Sequence, residues 1–194
     1  MGALGEKPKL RSSLSDYSDF LSMWYYCCDY ALIHSDASSL FSWEPHSWLC
    51  LSDTLWHFRF QNLVRDLRLS TYRILSEATV LDRWATRLWD GKRVTHSFSE
   101  GPFHSMKDRY FTVVGDYIIS LKISAAEASD ISSFFDRAEL VDANEASLRS
   151  VISLTVGTFK ILLEKNAKKA KSLRRAFCDY FGLKASSIEL REAV

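Results

Sequence analysis

Glycine and proline are scarce in this chain of 194 residues, at seven and three. A turn-dense β-sandwich or barrel needs more punctuation than that, so the shortage points away from both. An excess of one charge is missing too. Lys and Arg number 25 against 24 Asp and Glu, and no global field directs the chain to nucleic acid or an anionic surface. The longest uncharged run is Ser150 to Phe159, well short of the about 20 apolar residues that cross a bilayer, so membrane insertion is not expected. The opening MGALGEKPKL lacks the apolar core of a secretory leader, and Glu6 stands where a myristoylation signal needs Ser or Thr. Cys27, Cys28, Cys50 and Cys178 are too few for a disulfide framework at this length. With no Asn-x-Ser/Thr site, they read as reduced thiols of an intracellular protein, cytoplasmic or nuclear.

Recognisable catalytic motifs are absent as well. There is no P-loop, GxSxG elbow, GxGxxG or HExxH. His46 and Cys50 make one pair at metal-ligand spacing, but no second pair accompanies it. The histidines His34, His46, His57, His96 and His104 therefore read as packing or surface residues, and no cofactor or metal is expected.

What the chain does have is apolar residues at spacings of three and four. Leu14, Tyr17, Leu21, Trp24 and Cys28 share one helical face, as do Ile74, Ala78, Leu81, Ala85 and Leu88. Leu148, Ile152, Phe159 and Leu163 continue into Ala170, Leu173, Phe177 and Phe181, with Gly182 as a stop. The span from Trp48 to Leu69 is apolar on more than one side, as a central helix is. The spacing predicts an all-α fold: one domain over residues 13–194, an irregular bundle of about six to eight helices behind a flexible lead at 1–12. Residues 105–123 fit a helix through Phe111, Val114, Ile118 and Leu121. The same stretch also reads as a small β-hairpin near 110–123 turning at Gly115-Asp116.

Charge is patterned locally. Residues 160–175 hold seven cations against Glu164 alone, and residues 125–145 hold six acids against Arg137. That opposition, with 13% aromatic residues and six Trp, suggests a non-enzymatic helical module acting through protein–protein contacts, chiefly with a second copy of itself. Two alternatives stand beside it. A basic helix at 160–175 offers Lys165, Lys168, Lys169, Lys171, Arg174 and Arg175 to RNA, DNA or another anionic partner, with Arg65, Arg68 and Arg73 as helpers. A phosphodiester-cleaving helical nuclease would use Arg93 with His96 or His104 in the polar stretch 91–104, near Asp108 and Arg109. In such a site His moves protons and Arg stabilises phosphorane charge.

Overall fold

The computed structural model describes residues 9–89, 91, 93–99, 101–137 and 158–184. In its second half the chain follows a period of two. Phe159, Ile161 and Leu163 are buried while Lys160 is exposed and Leu162 half-buried, the signature of a strand with one face on a core. Among the described residues seven strands form: β1 (Lys9–Leu14), β2 (Ser39–Glu44), β3 (Ser70–Leu75), β4 (Val94–Phe98), β5 (Arg109–Val114), β6 (Tyr117–Lys122) and β7 (Phe159–Lys165). They make one sheet in the order β1-β7-β6-β5-β2-β3-β4. β2, β3 and β4 run parallel and the other pairings are antiparallel.

The helices among the described residues are α1 (Tyr17–Ile33), α2 (Trp48–Ser52), α3 (Thr54–Asp66), α4 (Val80–Arg87), α5 (Ala125–Arg137) and α6 (Ala167–Phe181). One sheet face, with Leu40, Tyr110, Ile119, Leu121, Ile161 and Leu163, packs on α1 to α5. The other, with Phe41, Trp43, Ile74, Phe111 and Ile118, packs on α6. There Phe177 of α6 lies 4.8 Å from the Phe103 ring and 5.3 Å from that of Phe41, centroid to centroid. α6 starts at an Asn166 cap whose side chain accepts the Lys169 N–H at 3.1 Å, and stops at left-handed Gly182.

The expectation of an all-α bundle is thus corrected to mixed α/β. The stretch 105–123 is the hairpin β5–β6, and the supposed helix across Phe159–Leu163 is β7. β4 lies within the stretch read as a connection, 91–104, and β1 begins at Lys9, inside the expected lead. The acidic stretch is α5 as far as Arg137, and its remainder lies outside the described residues. Among the described residues no helix is long and apolar enough to cross a membrane. All four cysteines are buried free thiols.

The hairpin turn tests the topology. Gly115 has φ +55°, and a Cβ there would come within 2.3 Å of the Ser35 hydroxyl oxygen. Gly115→Ala is expected to lower stability by about 1–2 kcal/mol for the left-handed backbone alone, read as a fall in thermal midpoint. An unchanged midpoint contradicts this turn.

Candidate functional site

Because α6 lies against β5 and β6, the half of that sheet face made by β1 and β7 carries no helix among the described residues. Arg11 and Ser13 of β1 and Lys160 of β7 are exposed there. The open half and the flank of α6 enclose a groove of about 520 Å³. Ile118, Phe111, Leu162 and Leu173 give it an apolar lining, and Arg11, Arg109, Lys122, Lys160 and Lys169 supply charge.

Strand register sets the groove's electrostatics. Lys160 is paired with Lys122, and Lys122 with Arg109. Three cations therefore stand in one row across three strands, at about 4.8 Å per strand. Like charges directly opposite on a sheet destabilise it. Asp108 offsets part of the cost, at 3.3 Å from Lys122 Nζ and 3.8 Å from Arg109 Nε. Lys169 reaches into the groove from α6 and pairs with the nearly buried Glu164 of β7. Arg109, Lys122 and Lys169 keep about half of their side-chain surface exposed, at 53%, 49% and 50%.

The sequence-predicted basic residues are divided by α6. Lys169 enters the groove. Lys165, Lys171, Arg174 and Arg175 line a second cavity of about 780 Å³ on the far flank, with Asp36, Asp116 and Asp179 interspersed. There Arg174 donates to the Gly115 carbonyl and sits 3.7 Å from Asp116, Arg175 lies 3.8 Å from Asp179, and Lys165 Nζ rests 5.5 Å from the Tyr117 ring centre. Lys168 is exposed on α6 and lines neither cavity.

Arg93 does not meet either histidine proposed for it. Its Nη1 donates to the Arg68 carbonyl at 2.8 Å, ahead of β4, whereas His104 follows β4 and is exposed. Residues three apart adjoin on a helix but lie on opposite faces, about 10 Å apart, in a strand. His96 is instead in register with Arg73 of β3.

Arg73 anchors a buried polar cluster. It donates to both carboxylate oxygens of Glu44, at 3.0 and 2.6 Å, and its guanidinium lies 4.5 Å from the Trp89 ring centre. Burial, and then the Arg73 charge, hold both His57 and His96 down to about 3. Burial pushes the Cys50 thiol up to about 12. With Arg73 1% and His57 4% exposed around a cavity of about 40 Å³, a phosphodiester has no access; this Arg–His cluster is structural. His46 and Cys50 face different partners, Asp82 and Arg73, and among the described residues no His/Cys/Asp/Glu group could hold a metal ion.

The cluster sets a pH dependence. The folded state disfavours both imidazolium ions, so the unfolded chain takes up these protons first. The resulting stability is fully present above the unfolded value of about 6.5. It is lost as pH falls from there towards about 3. The urea midpoint is expected to drop steadily between pH 6.5 and 4, and less steeply in His57→Phe. Equal slopes for the two proteins contradict the assignment.

No family model and no curated protein matches the chain. Solved structures do. A phospholipase D family member, Nuc from Salmonella typhimurium, aligns over 97% of this chain and 100% of its own, at 8% identity and a TM-score of 0.50. Polyphosphate kinase from Porphyromonas gingivalis aligns over 94% of this chain and 27% of its own, at 10% identity and a TM-score of 0.45. The first likeness is one of fold. The reading as a non-enzymatic, self-associating helical module came from the opposed charge segments, the aromatic content and the missing catalytic motifs, placed on an all-α fold. The chain has instead a mixed sheet like that of a phospholipase D family member, and this likeness overturns the helical module.

Proposed function

We propose that this chain cleaves phosphodiesters and that the groove beside α6 holds the backbone of a single-stranded nucleic acid. The observation that carries the reading is the row Lys160–Lys122–Arg109. A row of like charges costs fold stability and is offset when phosphates displace the counterions gathered on it. A concave groove takes an extended strand, whereas reading a duplex needs an element that protrudes into one of its grooves. The apolar lining around Ile118 and Leu162 gives bases and sugars a surface to lie on.

For cleavage the support is the fold likeness to a phospholipase D family member and the residues leading into β5. His104 is exposed two positions before Met106 and five before Arg109, both of which line the groove. Its imidazole carries the proton, and Arg109 faces the charge that develops on phosphorus.

Binding is tested with a fluorescent oligonucleotide and a salt titration. Losing three phosphate contacts removes about 2 from the slope of log affinity against log salt, since each contact on a single strand contributes about 0.7. At about 0.1 M salt that is roughly a hundredfold in affinity. Lys122→Gln with Lys160→Gln and Arg109→Gln should show that loss. Neutralising Lys165, Lys171 and Arg175 should leave the slope unchanged. The opposite pattern rejects the groove and favours the second cavity.

A further inference from the structure

On the other side of the sheet, three residues far apart in sequence meet in an arrangement the phosphodiester reading does not use. The Oγ of Ser132 lies 3.1 Å from His46 Nε2, and His46 Nδ1 lies 2.9 Å from Asp82 Oδ2. Asp82 is fully buried and accepts two further hydrogen bonds, from the Thr79 hydroxyl at 2.8 Å and the Ser47 backbone N–H at 2.9 Å. A carboxylate held by donors in this way takes the His46 Nδ1 proton as its third. That fixes the tautomer and leaves Nε2 as the acceptor for the Ser132 hydroxyl. His46 is 2% exposed and Asp82 fully buried, while Ser132 on α5 is only half-buried, the most exposed of the three. Each element concerned follows a strand at its carboxyl end: His46 after β2, α4 with Asp82 after β3, and α5 with Ser132 after β6. The carboxyl ends of the strands are where open α/β sheets place ligands.

We propose that Ser132, His46 and Asp82 form a nucleophilic triad that hydrolyses small carboxylic esters, separate from the nucleic-acid groove and independent of it. Ser132 Oγ bonds to the ester carbonyl carbon as its proton passes to His46 Nε2. The carbonyl then reforms, the C–O bond to the alcohol breaks, and His46 returns the proton to the departing alkoxide oxygen. Water repeats the sequence on the acyl-serine, releasing the acid and restoring the hydroxyl. Asp82 stabilises the imidazolium throughout. An acyl group suits the site better than a phosphoryl group. The described partners of the three side chains are hydroxyls, a backbone N–H and the Phe135 ring, 4.7 Å from His46; none is a cation.

The test uses the whole protein with a fluorophosphonate probe and, separately, 4-nitrophenyl acetate. The probe should modify one serine, assigned by peptide mass to Ser132, and the ester should release nitrophenolate in a burst near one equivalent. Ser132→Ala should abolish both, while the neighbouring Ser133→Ala keeps them. Asp82→Asn should slow labelling at least a hundredfold, because it favours the wrong histidine tautomer. Ser132→Ala has a half-buried hydroxyl to lose and should keep the wild-type circular dichroism, so the outcome does not depend on whether the buried Asp82 variant folds. No labelling of folded wild type, or equal labelling of Ser132→Ala, overturns the triad. Oligonucleotide binding is unaffected by either outcome.

Discussion

Replacing His104 by alanine is expected to slow oligonucleotide cleavage by about 10²- to 10⁴-fold, the usual worth of a positioned proton carrier, while leaving binding intact. His104 is exposed, between the short 3-10 turn Gly101–Phe103 and β5. Its loss removes no core contact, and a fall in rate is not a fall in folded fraction. On the proposed reading the phosphates are held by Arg109, Lys122 and Lys160, which the substitution leaves in place. The rate constant should therefore drop at an unchanged dissociation constant, the mark of an interaction made only in the transition state. Two comparisons sharpen the result. Arg93→Ala should cleave normally, since that guanidinium serves the Arg68 carbonyl on the other side of β4. His96→Ala should also cleave normally, because the ring lies beside Arg73 in the buried cluster. If His104→Ala keeps full activity while His96→Ala loses it, the catalytic assignment is wrong.

The second large effect lies in the core. Glu44→Gln should lower the unfolding free energy by about 3–5 kcal/mol, the cost of stranding a buried charge. Arg73 is 1% exposed and has Glu44 as its ionic partner at 2.6 Å. Glutamine keeps the shape and one acceptor but leaves the guanidinium charge uncompensated beside Trp89 and Cys50. Arg73→Met should cost less. It removes the charge that cannot escape and leaves Glu44, 14% exposed, nearer to water. The measurement is urea unfolding of both variants at pH 7. Arg73→Met should also let His57 and His96 titrate at higher pH, since Arg73 is one of the two causes holding them down. A Glu44→Gln protein within 1 kcal/mol of wild type means the pair is hydrated.

These two sites show how far the sequence reaches. The helices α1, α4 and α6 are legible in part: each carries apolar stripe residues and a side-chain cap (Asp16, Thr79 and Asn166), but Leu14 and Ile74 of those stripes lie in β1 and β3. The strands are hidden by arithmetic and burial. A strand face repeats at two, so its alternate members recur at four. Phe159 and Leu163 imitate a helical step when Ile161, on the same face, is passed over. Phe111 with Val114, and Ile118 with Leu121, have helical spacing of three yet lie on opposite faces of their strands. β2 is buried almost throughout, and a strand covered on both faces shows no alternation.

The groove is illegible for the same reason. Arg11, Arg109, Lys122 and Lys160 are far apart in sequence and become neighbours only through register. Of the six basic residues that the charge pattern marks at 165–175, Lys169 alone lies there. His104 stands among the sequence candidates because its residue type fits proton transfer, but only proximity in sequence pairs it with Arg93. The triad has no local signature, since Asp82 is 36 and Ser132 is 86 positions from His46.

The most direct test of the groove is lysine footprinting. The protein is acetylated with and without a saturating single-stranded oligonucleotide, and each lysine is quantified by mass spectrometry. Strong protection is expected at Lys122, Lys160 and Lys169, with little change at Lys165, Lys168 and Lys171. Protection centred on Lys165 and Lys171, with Lys122 and Lys160 as reactive as in the free protein, would contradict the groove.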